Sequence, residues 1–251
     1  MSTRTEHPVR SRPDAAARGR APGLLWPGSV RSLRPAASIA VAGILLALIW
    51  GLLLRGSTAE FGTVLTLNAL RFPGADSLAE AVGTGLGPAS AIGIGVAFAV
   101  FTSAWSRSVT TGLTAALAVG LSWGGVGVLK LIVGRPRPDW QALTRHLGVA
   151  ETDPSYPSGH VAFIAALSTA SVLLAWRTRA RWWVLAAGAA ATVTVAFARL
   201  HAGVHYPSDV VAGALCGSCG VILAFVLIDL IDARAGLAER IDALLPLSRR
   251  A

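Results

Sequence analysis

The chain has 251 residues, 53% of them hydrophobic and only 14% charged, with a formal net charge of +9. That balance excludes an ordinary soluble domain and places the chain in a bilayer. A positive charge of this size in a soluble protein would point to nucleic acid. Here the basic residues lie between and beside apolar runs, so membrane topology accounts for them and no nucleic-acid partner is expected.

Residues 1–35 carry seven arginines among Pro, Ala, Gly and Ser without an apolar period, which predicts a disordered basic tail. The apolar run after it lacks a small-residue cleavage site and reads as a retained span. About 20 mostly apolar residues are needed to cross the hydrocarbon core. Six segments qualify: 37–54, 82–104, 109–131, 160–177, 182–199 and 208–231. The expected fold class is therefore all-α, an integral membrane bundle of six transmembrane helices. It occupies residues 36–232 between the tail and a C-terminal segment, 233–251. Gly, Ala and Ser within the spans allow close helix packing in lipid.

With the N-terminus in the cytoplasm, Arg107, Arg177, Arg179, Arg181, Arg234, Arg240, Arg249 and Arg250 join the tail on one side. That places 15 of the 22 basic residues inside. Trp105, Trp176, Trp182 and Trp183 fall at expected span ends, where interfacial tryptophans belong. Outside, Glu60 to Phe72 shows a loose helical stripe of Phe61, Val64, Leu65 and Leu70. Inside, Leu237, Ile241, Leu244 and Leu245 form another, and both suit interfacial helices. Cys216 and Cys219 sit in the middle of an apolar segment and read as small packing residues rather than a redox pair.

Three polar stretches stand out at the external span ends. The first runs from Lys130 through Arg135-Pro136-Arg137-Pro138. Lys130 meets the negative end of its helix dipole, and prolines on both sides of Arg137 fix the backbone that presents its guanidinium. A snorkelling lysine and solvated loop arginines would account for this piece by itself. The second is Tyr156-Pro157-Ser158-Gly159-His160. Pro157 suits the start of a helix and Ser158 an N-cap, while Gly159 permits close approach to amides that favour an anion. An ordinary helix start with a solvent-facing histidine fits these residues equally well in isolation. The third runs from Arg199 through His201 and His205 to Asp209. Asp209, four residues after His205, is placed to accept a ring N–H, which would leave the other nitrogen free as a nucleophile or base.

Taken together, Lys130 with Arg137 and Pro138, then Pro157 to His160, then Arg199 with His205 and Asp209, resemble the type 2 phosphatidic acid phosphatase (PAP2) superfamily, in its integral-membrane bacterial lipid phosphatase branch. The resemblance spans about 80 residues. One departure is Ala198, where the family usually has a serine before the arginine. The resemblance implies a metal-independent lipid phosphatase without a cofactor. In it Lys130, Arg137, Ser158, Gly159 and Arg199 bind the substrate phosphate, and His205 attacks phosphorus with help from Asp209 to form a phosphohistidine. His160 protonates the leaving oxygen and then activates water. His201 has no motif role and is expected to be a solvated loop residue, with a substrate contact as the sharper alternative.

The implied substrate is a lipid phosphate: a polyprenyl phosphate or diphosphate, a phosphatidate or a related glycolipid precursor. An Ala- and Arg-rich chain of this kind reads as bacterial, with both termini in the cytoplasm and the site facing outward from the plasma membrane. Competing readings are phosphotransfer to another acceptor, an anion transporter using the three cations as a relay, and a zinc site. Transport favours charges deep within spans, and three cations in one place repel a metal ion. Oligomeric state is not legible in the sequence.

Overall fold

The computed structural model of the protein describes residues 30–235. Most of the basic tail, and the stripe of Leu237, Ile241, Leu244 and Leu245, lie outside the described residues. Eight α-helices are described: α1 (Val30–Leu54), α2 (Phe61–Ala69), α3 (Ala75–Gly85), α4 (Pro88–Ser106), α5 (Val109–Val133), α6 (Gly159–Ala175), α7 (Arg181–His201) and α8 (Pro207–Ala235). Among the described residues there is no strand. Five helices, α1, α4, α5, α7 and α8, are long and apolar enough to cross a membrane, while α6 is apolar but only 17 residues long. The protein is an all-helical integral membrane bundle.

Two boundaries differ from the sequence reading. The first helix begins at Val30, inside the expected tail. The expected span 82–104 is two helices. α3 ends at Gly85, and α4 starts afresh at Pro88, which occupies its first turn behind an extended Gly87. Proline lacks the amide hydrogen that a continuing helix would need and fits a helix start.

At the centre stands α8, packed on α1, α5 and α6. Small residues permit this. A Cβ on Gly217 would lie 2.2 Å from the Ala162 carbonyl oxygen of α6, and one on Gly213 would lie 2.6 Å from the Ser158 carbonyl oxygen. Across the other face, the Ser122 hydroxyl of α5 donates to the Gly217 carbonyl at 2.9 Å. Cys216 and Cys219 are buried free thiols. Cys219 abuts Gly43 of α1, and Cys216 packs with Ala47, Val126 and Ala162, so both fill space at helix contacts.

The main core joins Val119 of α5, Phe163 and Leu174 of α6, and Val221 and Phe225 of α8. The outer faces expose Ile39, Leu53, Leu131 and Val193, the inverse of a soluble protein and the expected surface in lipid. Trp105, Trp176, Trp182 and Trp183 are all exposed at helix ends. The short α2 and α3 pack against α7 and cap one end of the bundle. That end carries the C-termini of α5 and α7 and the N-termini of α6 and α8.

Candidate active site

Three chain segments converge at that end. Lys130 lies in the last turn of α5, which Gly134 terminates in the left-handed region with φ 60°. Ser158 occupies the N-cap position of α6, with extended backbone. Arg199 lies in the last turn of α7, and the loop through His205 leads into α8 at Pro207. The Ser158 amide donates to the Asp209 carbonyl at 2.9 Å, tying the start of α6 to the start of α8. A Cβ on Gly159 would lie 3.7 Å from Lys130 Cε, so the second segment sits directly against the first.

Arg137 connects the pieces. Its Nη1 donates to the Val204 carbonyl at 2.8 Å and lies 3.2 Å from His205 Nε2. A guanidinium has donors only, so Nε2 must be the acceptor and the ring proton of neutral His205 sits on Nδ1. Nδ1 faces Asp209 Oδ2 at 3.5 Å, too long for a hydrogen bond. The bond expected from the four-residue spacing is therefore not made. Asp209 is committed elsewhere: Oδ1 accepts from Arg135 Nη1 at 2.8 Å and Oδ2 from the Tyr206 amide at 2.8 Å. His205 is fully buried, and burial first, then the charges of Arg137, Arg199 and Lys130, push its pKa well below the ordinary imidazole value.

Several buried polar atoms here make no hydrogen bond within the protein: Ser158 Oγ, His160 Nε2, Arg199 Nε and His205 Nδ1. Ser158 thus holds the N-cap position without using its hydroxyl as a cap. Its amide, expected to face the anion, is bonded to Asp209 instead, and the Ala162 amide closes the first turn on the Ser158 carbonyl. The amides of Gly159, His160 and Val161 have no intrahelical acceptor, as at any helix start, and are the dipoles left for an anion.

The cations are not bare. Glu151 pairs with Arg137 at 2.6 Å and with Arg199. Asp153 pairs with Arg137 at 2.7 Å and with Lys130 at 2.5 Å. Burial raises both carboxyls, but Arg199 and Arg137 outweigh it at Glu151, and Lys130 and Arg137 outweigh it at Asp153, so both sit below their usual range. Neither carboxylate was singled out from sequence, because their pairing depends on how the segment between α5 and α6 folds back.

Arg135 is likewise not announced by the sequence. It is completely buried, lies 4.0 Å over the Tyr206 ring, and joins Asp209, the Ser208 hydroxyl and Glu60. Glu60 in turn accepts from the Ser208 amide at 2.9 Å and from its hydroxyl, so the α1–α2 connection helps hold the start of α8. The only sequence hint was the rigid Gly134-Arg135-Pro136 setting. His201 departs from its expectation. It is buried, with Nδ1 2.9 Å from the Leu67 carbonyl and Nε2 2.9 Å from Asp76, and it stacks on Phe197. The α2–α3 cap closes over it and makes it a structural tie rather than a solvated residue.

The residues that carry this geometry lie in a stretch similar to a known family. A profile of the PAP2 superfamily matches residues 111–231. Over those residues, just under half of its length, the chain is similar to the PAP2 superfamily. The PAP2 region includes every residue from Lys130 to Asp209 described above. An undecaprenyl-diphosphatase of Sulfolobus acidocaldarius is 35% identical over 115 residues, 45% of this chain and 52% of that protein. The bacitracin transport permease protein BcrC of Bacillus licheniformis is 36% identical over 75 residues, 30% of this chain and 34% of that protein. The chain thus spans about half or less of the length of these relatives.

Two solved structures share the fold. The transmembrane PAP2-type phosphatidylglycerolphosphate phosphatase of Bacillus subtilis superposes with a TM-score of 0.59 at 21% identity, covering 78% of this chain and 96% of that one. LpxE of Aquifex aeolicus superposes with a TM-score of 0.52 at 21% identity, covering 70% and 97%. At this identity the likeness establishes the helical fold alone.

Proposed function

We propose that the protein is a membrane lipid phosphatase that hydrolyses the terminal phosphate of a polyprenyl diphosphate or a related lipid phosphate. The observation that carries this reading is the gathering of Lys130, Arg137 and Arg199 around His205, a buried histidine whose Nε2 accepts from Arg137. A phosphomonoester is close to a dianion at neutral pH, and its transfer demands positioning and charge stabilisation more than covalent help. Three cations and the first amides of α6 supply both. The undecaprenyl-diphosphatase among the relatives favours a polyprenyl diphosphate as the substrate class.

In the proposed reaction, His205 Nε2 attacks phosphorus in line. The bond from phosphorus to the leaving oxygen breaks as His160 gives that oxygen a proton. Water then attacks the phosphohistidine, losing its proton to His160 and restoring His205. The arriving dianion, set between the cations and His160, favours the imidazolium needed for the first step. Asp209 stabilises the proton on His205 Nδ1, and closing the present 3.5 Å separation would complete a bond in the reacting complex.

The site is proposed to face outward, with the N-terminus cytoplasmic, because that orientation keeps most of the basic residues inside. An anion transporter is less well supported, since these cations cluster at one end of the bundle and form no path across it. Phosphate release from a panel of lipid mono- and diphosphates by wild type and His205→Ala tests the proposal. Release by wild type and loss in the variant is expected, while equal release by both contradicts it.

A further inference from the structure

Glu151 bridges Arg137 and Arg199, and Asp153 bridges Arg137 and Lys130, so two carboxylates from one short stretch pair with all three cations. Asp153 is anchored through its main chain, because Arg137 Nε donates to its carbonyl at 2.9 Å and Lys130 Nζ donates to the Pro154 carbonyl at 2.7 Å. Glu151 is held through its side chain alone, with a quarter of that side chain still open to solvent. Resting on the phosphatase reading above, we propose that Glu151 and Asp153 are specificity-determining residues that keep phosphodiester headgroups out of the phosphate site.

Three cations against two carboxylates leave one positive charge uncompensated. A phosphomonoester or a terminal diphosphate brings close to two negative charges near neutral pH. When it replaces Glu151, positive and negative charges in the cluster become equal. A phosphodiester brings one, and its exchange for Glu151 changes nothing. The carboxylate it must displace is tethered, so it competes at a high effective concentration. A pocket at a membrane surface faces phosphodiester headgroups in large excess over any one substrate, and three unpaired cations would fill with them. The acidic pair sets a threshold that only the doubly charged group crosses.

The test uses the full-length protein in mixed micelles, with a polyprenyl phosphate as substrate and two competitors, phosphatidylglycerol and the water-soluble diester dimethyl phosphate. For Glu151→Gln, both diesters are expected to inhibit about tenfold more strongly, the scale of one charge-assisted contact, while KM for the monoester falls by less. Glu151→Asp keeps the charge and is expected to retain most of the discrimination. Asp153→Asn is expected to move the ratio the same way, and Glu151→Gln, which leaves the anchored backbone untouched, guards against misfolding of that variant. Turnover with an unchanged ratio of diester inhibition to monoester KM in Glu151→Gln overturns this inference alone. No phosphate release from any lipid phosphate by the wild type overturns it together with the phosphatase reading.

Discussion

Arg135 and Asp209 form a completely buried ion pair, Nη1 to Oδ1 at 2.8 Å, directly behind the histidine proposed to carry the phosphoryl group. Arg135 also reaches Glu60 and Ser208, so one guanidinium ties the α1–α2 connection to the first turn of α8. It lies outside the three-part motif, yet it fixes the carboxylate that faces His205 Nδ1.

Removing Arg135 leaves the Asp209 carboxylate buried without its cation. Arg135→Ala is expected to cost about 3–5 kcal/mol of stability, the range for breaking one side of a buried pair. Arg135→Lys keeps the charge but cannot make the forked contacts, so activity is expected to fall more than stability. Denaturation in detergent together with kcat and KM for each variant measures both. Wild-type stability in Arg135→Ala would show that the pair contributes nothing net.

The α6–α8 contact is a second sensitive point. Gly217→Ala would place a methyl 2.2 Å from the Ala162 carbonyl oxygen, and Gly213→Ala one 2.6 Å from that of Ser158. Each is expected to destabilise the bundle by about 1–3 kcal/mol, the usual cost of overpacking. Gly213→Ala is also expected to lower kcat, because it pushes on the residue just before Gly159 and His160. Thermal unfolding paired with turnover separates the two effects, and equal activity per folded molecule would contradict the second.

The pH dependence follows from His205. Burial and then Arg137, Arg199 and Lys130 depress its folded pKa, so it stays neutral and nucleophilic below the ordinary imidazole value of about 6.5. The acid limb of kcat/KM is expected to lie well below that pH. In stability the unfolded chain takes up the extra proton, so the contribution of His205 is fully present above about 6.5 and is lost as pH falls through the folded value. Imidazole titration by NMR in wild type and His205→Ala checks the direction. A His205 that titrates at its ordinary value would contradict it.

Metal chelation supplies a further check. His160 and His205 lie among Lys130, Arg137 and Arg199, whose charges act on both rings and oppose a metal cation. Excess chelator is expected to leave phosphate release unchanged. Activity that disappears with chelator and returns with zinc would contradict the proposed chemistry.

The apolar segments and the cation and histidine spacings were legible because they are local patterns. Hydropathy marked the five helices long enough to cross a membrane and the shorter α6, and the Arg-Pro pair, the Pro-Ser-Gly-His run and the Arg to His205 to Asp209 spacing marked where to look. The break before α4 was also written in the chain as Gly85-Leu86-Gly87-Pro88, but the apolar run on both sides masked it. What sequence could not show depends on pairs far apart in the chain. Arg135 and Arg137 stand two residues apart, and only the approach of Glu60 and Asp209 decides that Arg135 turns inward. Glu151 and Asp153 look like ordinary loop acids until their segment folds over the ends of α5 and α7. His201 read as solvated because nothing local announces that Asp76 and Leu67 will close over it.

The most direct test of the central claim is to trap the phosphorylated protein by rapid quench with a terminally labelled polyprenyl diphosphate and map the label by peptide sequencing. The expected result is an acid-labile phosphohistidine at His205, absent from His205→Ala. Label on another residue, or undiminished phosphate release by His205→Ala, would contradict it.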